Sequence, residues 1–394
     1  MGQDYYHGVL NMDSRRIFLK KSGCGLCLSA LPSMNLTSTR SPLDQHSTVE
    51  FSSQPPAFSV IPVIGDGKWI WNDPPKETGL LEPREFEVSV GMRFTGKGDA
   101  SELYGSTVAL SEFPEQKILD TKIENTNCEA KLANIADGVT QLQLYAPSLG
   151  DGQQAHAEAK FHVKLFKSYH GFAKDRFPEV QEKPKGKNTF TGNSPGIRIS
   201  SPVKKLSRSL VESLGTGAHP WDISHHFYKW VRENIKGVPG KYTSVEQAIE
   251  NRKGDCEERA CTFIALCRSI GIPARQVWVP SHVWAEIALH DHDGKWHWIP
   301  IHTAAYSWFG WTGAHEVVLQ KGDKIQLPGR RNPIRLVDDW YRIKGRTPKR
   351  EYTCEIRPVE LDGESSGPGS RKKLPNGQWR SLDSSENRRF SRGR

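Results

Sequence analysis

The feature that most constrains the fold is residues 253–287, which read KGDCEERACTFIALCRSIGIPARQVWVPSHVWAEI. Asp255 is a typical helix N-cap, acidic residues follow in the first turn, and apolar residues then recur at helical spacing until Gly271. Residues 275–302 alternate between apolar and polar positions around a DHDG turn, which is typical of antiparallel strands. The pattern predicts a helix packed on a sheet, with Cys256 at the start of the helix.

Two interpretations of Cys256 follow, a buried structural thiol or a nucleophile served by His282. The free amides of a helix start stabilise a thiolate, although the two glutamates after Cys256 oppose it. His282 opens the second predicted strand, where it can face the helix start, and a thiol beside an imidazole is the minimal machinery of acyl transfer. Cys261 and Cys267 lie within the helix body, which favours small buried hydrophobic side chains.

Composition and periodicity divide the rest of the chain. With 394 residues, 36% of them hydrophobic, the sequence is long enough for two domains with less ordered ends. Apolar alternation predicts a small, sandwich-like antiparallel β-domain over 58–170, and helical periodicity opens an α+β domain over 202–345. Polar stretches over 35–57 and 171–201 are typical of linkers. Residues 346–394 are predicted to be a basic, disordered tail.

The tail also bears on possible partners. The net charge is +9, and from Asp362 onward eight Lys or Arg residues against four acidic residues supply +4 of it (8 − 4). This stretch is rich in Gly, Ser and Arg, so it buries too little apolar surface to offset the entropy of ordering. Its two aromatic residues, Trp379 and Phe390, do not make the interleaved series of a base-stacking platform, so we predict no dedicated nucleic-acid binding.

The N-terminal residues 14–34 read SRRIFLKKSGCGLCLSALPSM. Paired arginines, a Phe-Leu pair and a short apolar run resemble a twin-arginine export signal, which implies an exported protein of the periplasm or cell envelope, with signal residues 1–34. A chance match is the alternative, because Arg-Arg pairs are common. The apolar run of about 13 residues is too short to span a bilayer. Met1 and Met12 are both possible starts.

The spacing of the cysteines and histidines bears on disulfides and metal sites. Loss of the signal leaves an odd number of cysteines without a CxxC pair, which argues against a disulfide framework and a zinc knuckle. His290, His292, His297 and His302 crowd one predicted hairpin and could meet across it to hold zinc. Their spacing fits no specific metal motif, and exposed histidines around a turn are the other interpretation. We predict no metal and no cofactor.

Three motifs give the sequence a family resemblance: GDCEERACTFIALCRSIGIPAR, SHVWAEIAL and WHWIPIH. Together with WVRENIKGVPGKYTSVEQAIENRKGDC before them, they resemble the core of the transglutaminase-like superfamily over residues 202–310. The resemblance implies a papain-like α+β core, with Cys256 as nucleophile and His282 as base. This family usually carries an aspartate where the third motif ends, and here the residue is His302. A neutral imidazole can accept the orienting hydrogen bond but adds no negative charge.

The expected function is thiol-dependent acyl transfer or hydrolysis at amide bonds of protein or peptide substrates, with Cys256, His282 and His302 as candidate catalytic residues. One alternative is a cysteine peptidase or amidase, and another is a catalytically silent binding module. Residues 308–323, WFGWTGAHEVVLQKGD, either line a cleft beside the site or pack in the core. Neither the acceptor of the acyl group nor the oligomeric state is predicted.

Overall fold

The structure is a computed structural model. It describes residues 77–170, 174–185, 190–238, 242–280, 282–304, 309–312, 315–327, 330–359, 371–373 and 379–381, the last two ranges as backbone only. The predicted export signal and the predicted linker at 35–57 lie outside these residues. None of the described helices is long and apolar enough to cross a membrane.

The strands, numbered along the chain, form two β-rich regions. The first region comprises two antiparallel sheets, one in the order β12-β6-β1-β15-β16-β17, with β3 also on β6, and one in the order β14-β2-β5-β4. The bounds are β1 (Gly79–Thr95), β2 (Ala100–Ala109), β3 (Gln116–Thr126), β4 (Glu129–Ala136), β5 (Val139–Leu149), β6 (Gln154–Tyr169), β12 (Trp311–Thr312), β14 (Trp340–Gly345), β15 (Lys349–Pro358), β16 (Arg371–Lys373) and β17 (Trp379–Ser381).

The inner faces of these sheets share one apolar core, which makes this region a β-sandwich. Phe86 and Val88 of β1 pack with Leu142 and Leu144 of β5, as the alternation of the sequence predicts. The sheets approach closely at Gly105, where an added Cβ would lie 2.7 Å from the ring of Phe94. A side chain at this position would therefore force the two sheets apart.

The C-terminal chain returns to the sandwich, and here the structure differs from the predicted boundary at 345. Strand β14 pairs with β2, and β15 pairs with β1 in a register that runs from Phe86 opposite Pro358 to Thr95 opposite Lys349. Lys349–Pro358 was predicted to lie in the disordered tail, but its Ile356 is buried in the sandwich core. The reason is alternation: charged residues occupy the outer positions, so the average composition conceals a half-buried strand. Residues 360–370, 374–378 and 382–394 lie outside the described part of the chain.

The second region is the predicted α+β domain. Its antiparallel sheet has the order β11-β10-β9-β13, and two short strands, β7 and β8, pair in parallel. The bounds are α1 (Ser201–Glu212), α2 (Pro220–Asn234), α3 (Val245–Asn251), α4 (Cys256–Ser269), β7 (Lys236–Gly237), β8 (Lys253–Gly254), β9 (Ala274–Val279), β10 (His282–His290), β11 (Trp296–Ile301) and β13 (Gln320–Lys321).

Helix α4 is the centre of this domain. It packs against β9 and β10 on one side and against α1, α2 and α3 on the other, so its residues are buried from Cys256 to Arg268. The predicted linker at 171–201 also contributes to this core, because Phe177 and Ile197 are buried in it. The fold class, an α+β domain beside an antiparallel β-domain, is therefore as predicted, with a linker that is partly packed.

Candidate active site

The start of α4 fixes the position of Cys256. The side chain of Asp255 accepts hydrogen bonds from the amides of Glu257 (2.8 Å) and Glu258 (3.4 Å), and a Glu258 carboxylate oxygen accepts one from the Asp255 amide (3.0 Å). These reciprocal bonds are a capping box, and they hold the first turn rigidly. Cys256 is the first residue of the helix, as predicted, and is only 3% exposed.

The thiol of Cys256 lies against the strands that carry the two candidate histidines. Cys256 clusters with Val283 and Ala304, and the thiol also makes a backbone hydrogen bond to Val283. Val283 follows His282 directly, and Ala304 lies two residues beyond His302. The helix start therefore lies beside the start of β10 and the residues that follow β11, close in sequence to His282 and His302.

The two histidines are in ring contact. Their ring centroids are 5.6 Å apart with the planes 27° from parallel, and the Trp284 ring lies 4.9 Å from that of His302. His282 is 3% exposed and His302 is fully buried. Within the described part of the chain, neither ring nitrogen of His282 has a hydrogen-bond partner. The structure therefore shows His302 beside His282, without the orienting hydrogen bond of a closed triad.

Burial sets the protonation states of the pair. It raises the pKa of the Cys256 thiol well above its ordinary value, and the carboxylate of Asp255 adds to the shift, while the bond to Val283 opposes it. Burial likewise lowers the pKa of His282, and the neighbouring His302 lowers it further. The sequence suggested a thiolate stabilised by helix amides, but burial outweighs those amides. Burial therefore favours the neutral form of both the Cys256 thiol and the His282 imidazole.

A carboxylate that the sequence analysis missed lies next to His302. The Oε2 atom of Glu316 is 3.2 Å from the Nε2 atom of His302, although the two groups are not aligned as a hydrogen bond. The Glu316 side chain is 14% exposed and that of His302 is fully buried. Glu316 belongs to the segment 308–323, beyond the last recognisable motif. No local pattern in that segment distinguishes this glutamate from a surface residue.

The histidines of the hairpin do not form a metal site. The His290 ring accepts the amide of Glu182, the His292 ring bonds the carbonyl of Asp175 (2.9 Å), and other partners hold His297 and His302. Among the residues that the structure describes, no group of three or more His, Cys, Asp or Glu side chains is placed to hold a metal ion. Each of the cysteines described is a free thiol.

Comparison with known proteins gives a family match for part of the chain. Residues 208–303 match the model of the transglutaminase-like superfamily, and this range contains Cys256, His282 and His302. No curated protein matches the sequence.

Two solved structures resemble the fold. A candidate cysteine protease from Cytophaga hutchinsonii has a TM-score of 0.49 and 16% identity, covering 72% of this chain and 94% of that one. A candidate protease from Parabacteroides distasonis has a TM-score of 0.23 and 11% identity, covering 54% of this chain and 42% of that one. At these scores and identities neither structure bears on activity. Residues 208–303 of this chain are thus similar to a transglutaminase-like domain.

Proposed function

We propose that this protein carries out cysteine-dependent acyl transfer or hydrolysis at amide bonds of protein or peptide substrates. Cys256 is the nucleophile, His282 is the general base, and His302 is the neighbour that orients it. The observation that carries the proposal is the position of Cys256: it begins a buried, capped helix, and its thiol lies against the strand that begins with His282. The transglutaminase-like match over 208–303 supports the same chemistry.

The residues can divide the reaction into two steps. The Cys256 thiol gives its proton to His282 while the sulfur attacks the amide carbon, and the tetrahedral intermediate collapses when His282 returns the proton to the leaving amine. The amide N–H of Cys256, in the first turn of α4, has no acceptor within the helix and is the nearest donor for the oxyanion. Water or an amine then attacks the thioester, which gives hydrolysis or acyl transfer.

The test measures the alkylation of Cys256 by iodoacetamide, resolved by mass spectrometry, between pH 5 and pH 10. We expect Cys256 to be alkylated in the folded protein and the rate to fall about 100-fold or more in His282→Ala, because a general base contributes about 10²–10⁴ in rate. Cys267→Ala, which removes a buried thiol from the same helix, is the matched control and should change nothing. If His282→Ala leaves the rate unchanged, the chain is better described as a binding module.

Substrate chemistry is tested with denatured casein, with and without the amine dansylcadaverine. An acyltransferase attaches the fluorescent amine to casein, whereas a peptidase releases peptides, and both activities should disappear in Cys256→Ala and persist in Cys267→Ala. Activity that survives in Cys256→Ala would contradict the assignment of the nucleophile.

We also propose that the protein is exported, on the basis of the SRRIFLK sequence at residues 14–20. In a bacterial host with a twin-arginine pathway, a reporter that carries residues 1–34 should reach the periplasmic fraction. Replacing Arg15 and Arg16 by lysine keeps the charge but removes the paired arginines, and it should hold the reporter in the cytoplasm. Equal export of both forms would exclude the twin-arginine route.

A further inference from the structure

The third position of the site, His302, is a histidine and carries no negative charge. When His282 takes the proton of the thiol it becomes an imidazolium, and a neutral His302 beside it adds no charge to stabilise that ion. The nearest carboxylate that the described residues offer His302 is Glu316, whose Oε2 atom lies 3.2 Å from His302 Nε2. The negative charge of Glu316 therefore lies next to His302 and not directly next to His282.

Glu316 is held in place by the β-sandwich. The ring of His315 bonds the carbonyl of Glu82 in β1, and Val317 packs in the sandwich core. The side chain of Gln116 from β3, which is fully buried, accepts the amide N–H of Val318 (2.8 Å) and donates to its carbonyl (2.9 Å). The residues on both sides of Glu316 are thus fixed to the other domain.

The same segment continues into the sheet of the α+β domain. The amide of Leu319 donates to the carbonyl of Trp278 (2.8 Å), and Gln320 is paired with Trp278 in the ladder between β13 and β9. Because β9 is the neighbour of β10, which begins with His282, the segment is tied to the sandwich at one end and to the sheet of the site at the other. Because the segment is fixed on both sides of Glu316, holding the Glu316 carboxylate beside His302 costs little further backbone entropy.

We propose that Glu316 is a positioning residue for the general base, acting through His302, and that the β-sandwich serves to hold it there. In the reacting arrangement His302 Nε2–H aligns with and donates to the Glu316 carboxylate, and the two stacked imidazole rings reorient so that His302 Nδ1 accepts the N–H of the His282 imidazolium. The proton that His282 takes from the thiol stays on His282 until it passes to the leaving amine, and the Glu316 carboxylate stabilises the positive charge through His302 without being protonated. This inference rests on the proposed function.

The experiment follows the pH dependence of Cys256 alkylation by iodoacetamide in Glu316→Gln, which removes the charge and keeps the shape. Glu129→Gln, the same change at an exposed position of the sandwich, is the matched control. We expect Glu316→Gln to lower the alkylation rate on the order of 10- to 100-fold. We also expect the pH at which the rate rises to change, because without the carboxylate charge the imidazolium form of His282 is less favourable. Glu129→Gln should match the unmodified protein.

A double substitution separates positioning from packing. His302→Asp places a carboxylate directly beside His282, so in that background Glu316→Gln should change the rate by less than about 3-fold. An equal loss in both backgrounds would mean that Glu316 only supports the fold, and the inference would be overturned. The unfolding midpoint in urea is measured for every variant, and Glu316→Asp replaces Glu316→Gln if the latter does not fold.

The outcomes also distinguish a failure of the proposed function from a failure of the role proposed for Glu316. If alkylation of Cys256 does not depend on His282, the proposed function fails whatever Glu316 does. If alkylation depends on His282 and Glu316→Gln behaves like Glu129→Gln, the proposed function stands and the role of Glu316 is wrong.

Discussion

Two of the buried polar side chains on strand β10, Glu286 and His282, differ in their hydrogen bonding. Glu286 and His282 are each 3% exposed, and they lie on the same strand. One oxygen of Glu286 accepts from the Nε atom of Arg275 (2.7 Å), and the other accepts from the Nζ atom of Lys321. His282 has no hydrogen-bond partner for either ring nitrogen among the described residues. Both oxygens of Glu286 are therefore hydrogen-bonded, whereas the ring nitrogens of His282 have no partner among the described residues.

The electrostatics follow this difference. Burial opposes the ionisation of Glu286, but Arg275 and Lys321 outweigh it and keep the pKa of the carboxyl below its ordinary value. No neighbour offsets the burial of His282, and His302 pushes its pKa in the same direction. Buried polar groups in folded proteins are nearly always paired, and the exceptions concentrate where chemistry needs them. Under the proposed function, Glu286 serves stability and His282 serves the reaction.

The largest effect on stability is expected from a substitution of Glu286. Glu286→Gln leaves the buried cations Arg275 and Lys321 with one counter-charge fewer, and Lys321 then relies on Glu115 alone. We expect the free energy of unfolding to fall by about 3–5 kcal/mol, as for other buried pairs that lose one partner. Urea denaturation at pH 7.5 measures it, with His282→Phe on the same strand as the comparison. A loss below about 1 kcal/mol would show that the cluster is solvated in solution.

What the sequence could predict was local. The start of α4 at Cys256, its cap at Asp255 and the hairpin of β10 and β11 were all predicted, because capping and alternation are encoded within about a dozen neighbouring residues. The strand pattern suggested His282 as a partner and the family resemblance implied the same, and the structure places His282 next in sequence to Val283, which Cys256 contacts.

What the sequence could not predict depends on distant partners. Strand β15 pairs with β1 from the other end of the chain, and Glu316 lies beside His302 in a segment that contacts distant residues such as Gln116 of the sandwich. The protonation state of Cys256 also depends on residues that are distant in the sequence. Its sequence neighbours include helix amides and glutamates, but the burial that raises its pKa comes from the helices and sheet packed around α4.

The pH dependence of stability sharpens the comparison further. The pKa of His282 is lowered in the folded state, so the unfolded chain binds a proton near pH 6.5 that the folded protein excludes. Stability is therefore fully present above about pH 6.5 and is lost as the pH falls, with a slope of at most about 1.4 kcal/mol per pH unit from this group.

Urea unfolding at pH 7.5, 6.5 and 5.5 should show this loss, and His282→Phe should make it shallower. His170, whose pKa burial lowers to about 4, contributes a similar slope to both proteins and cancels in the difference. His292→Phe, at an exposed position, is the control and should leave the slope unchanged. Equal slopes in the unmodified protein and in His282→Phe would mean that His282 titrates normally.

The smallest effect is expected from His282→Phe at pH 7.5, where the imidazole is neutral in both states. The substitution removes two buried ring nitrogens that lack partners in the described structure and places an apolar ring of similar shape against His302. Leaving a buried polar group unpaired costs about 1–3 kcal/mol, so the variant should be as stable as the unmodified protein or more stable by about 1 kcal/mol.

The same variant should lose the alkylation of Cys256, measured with iodoacetamide as above. A more stable protein that has lost its reactive thiol would show that the unpaired imidazole is kept for chemistry at the expense of stability. A large loss of stability, comparable to that of Glu286→Gln, would instead place both side chains of β10 in the same structural role, because it would mean that His282 makes bonds in solution that hold the fold.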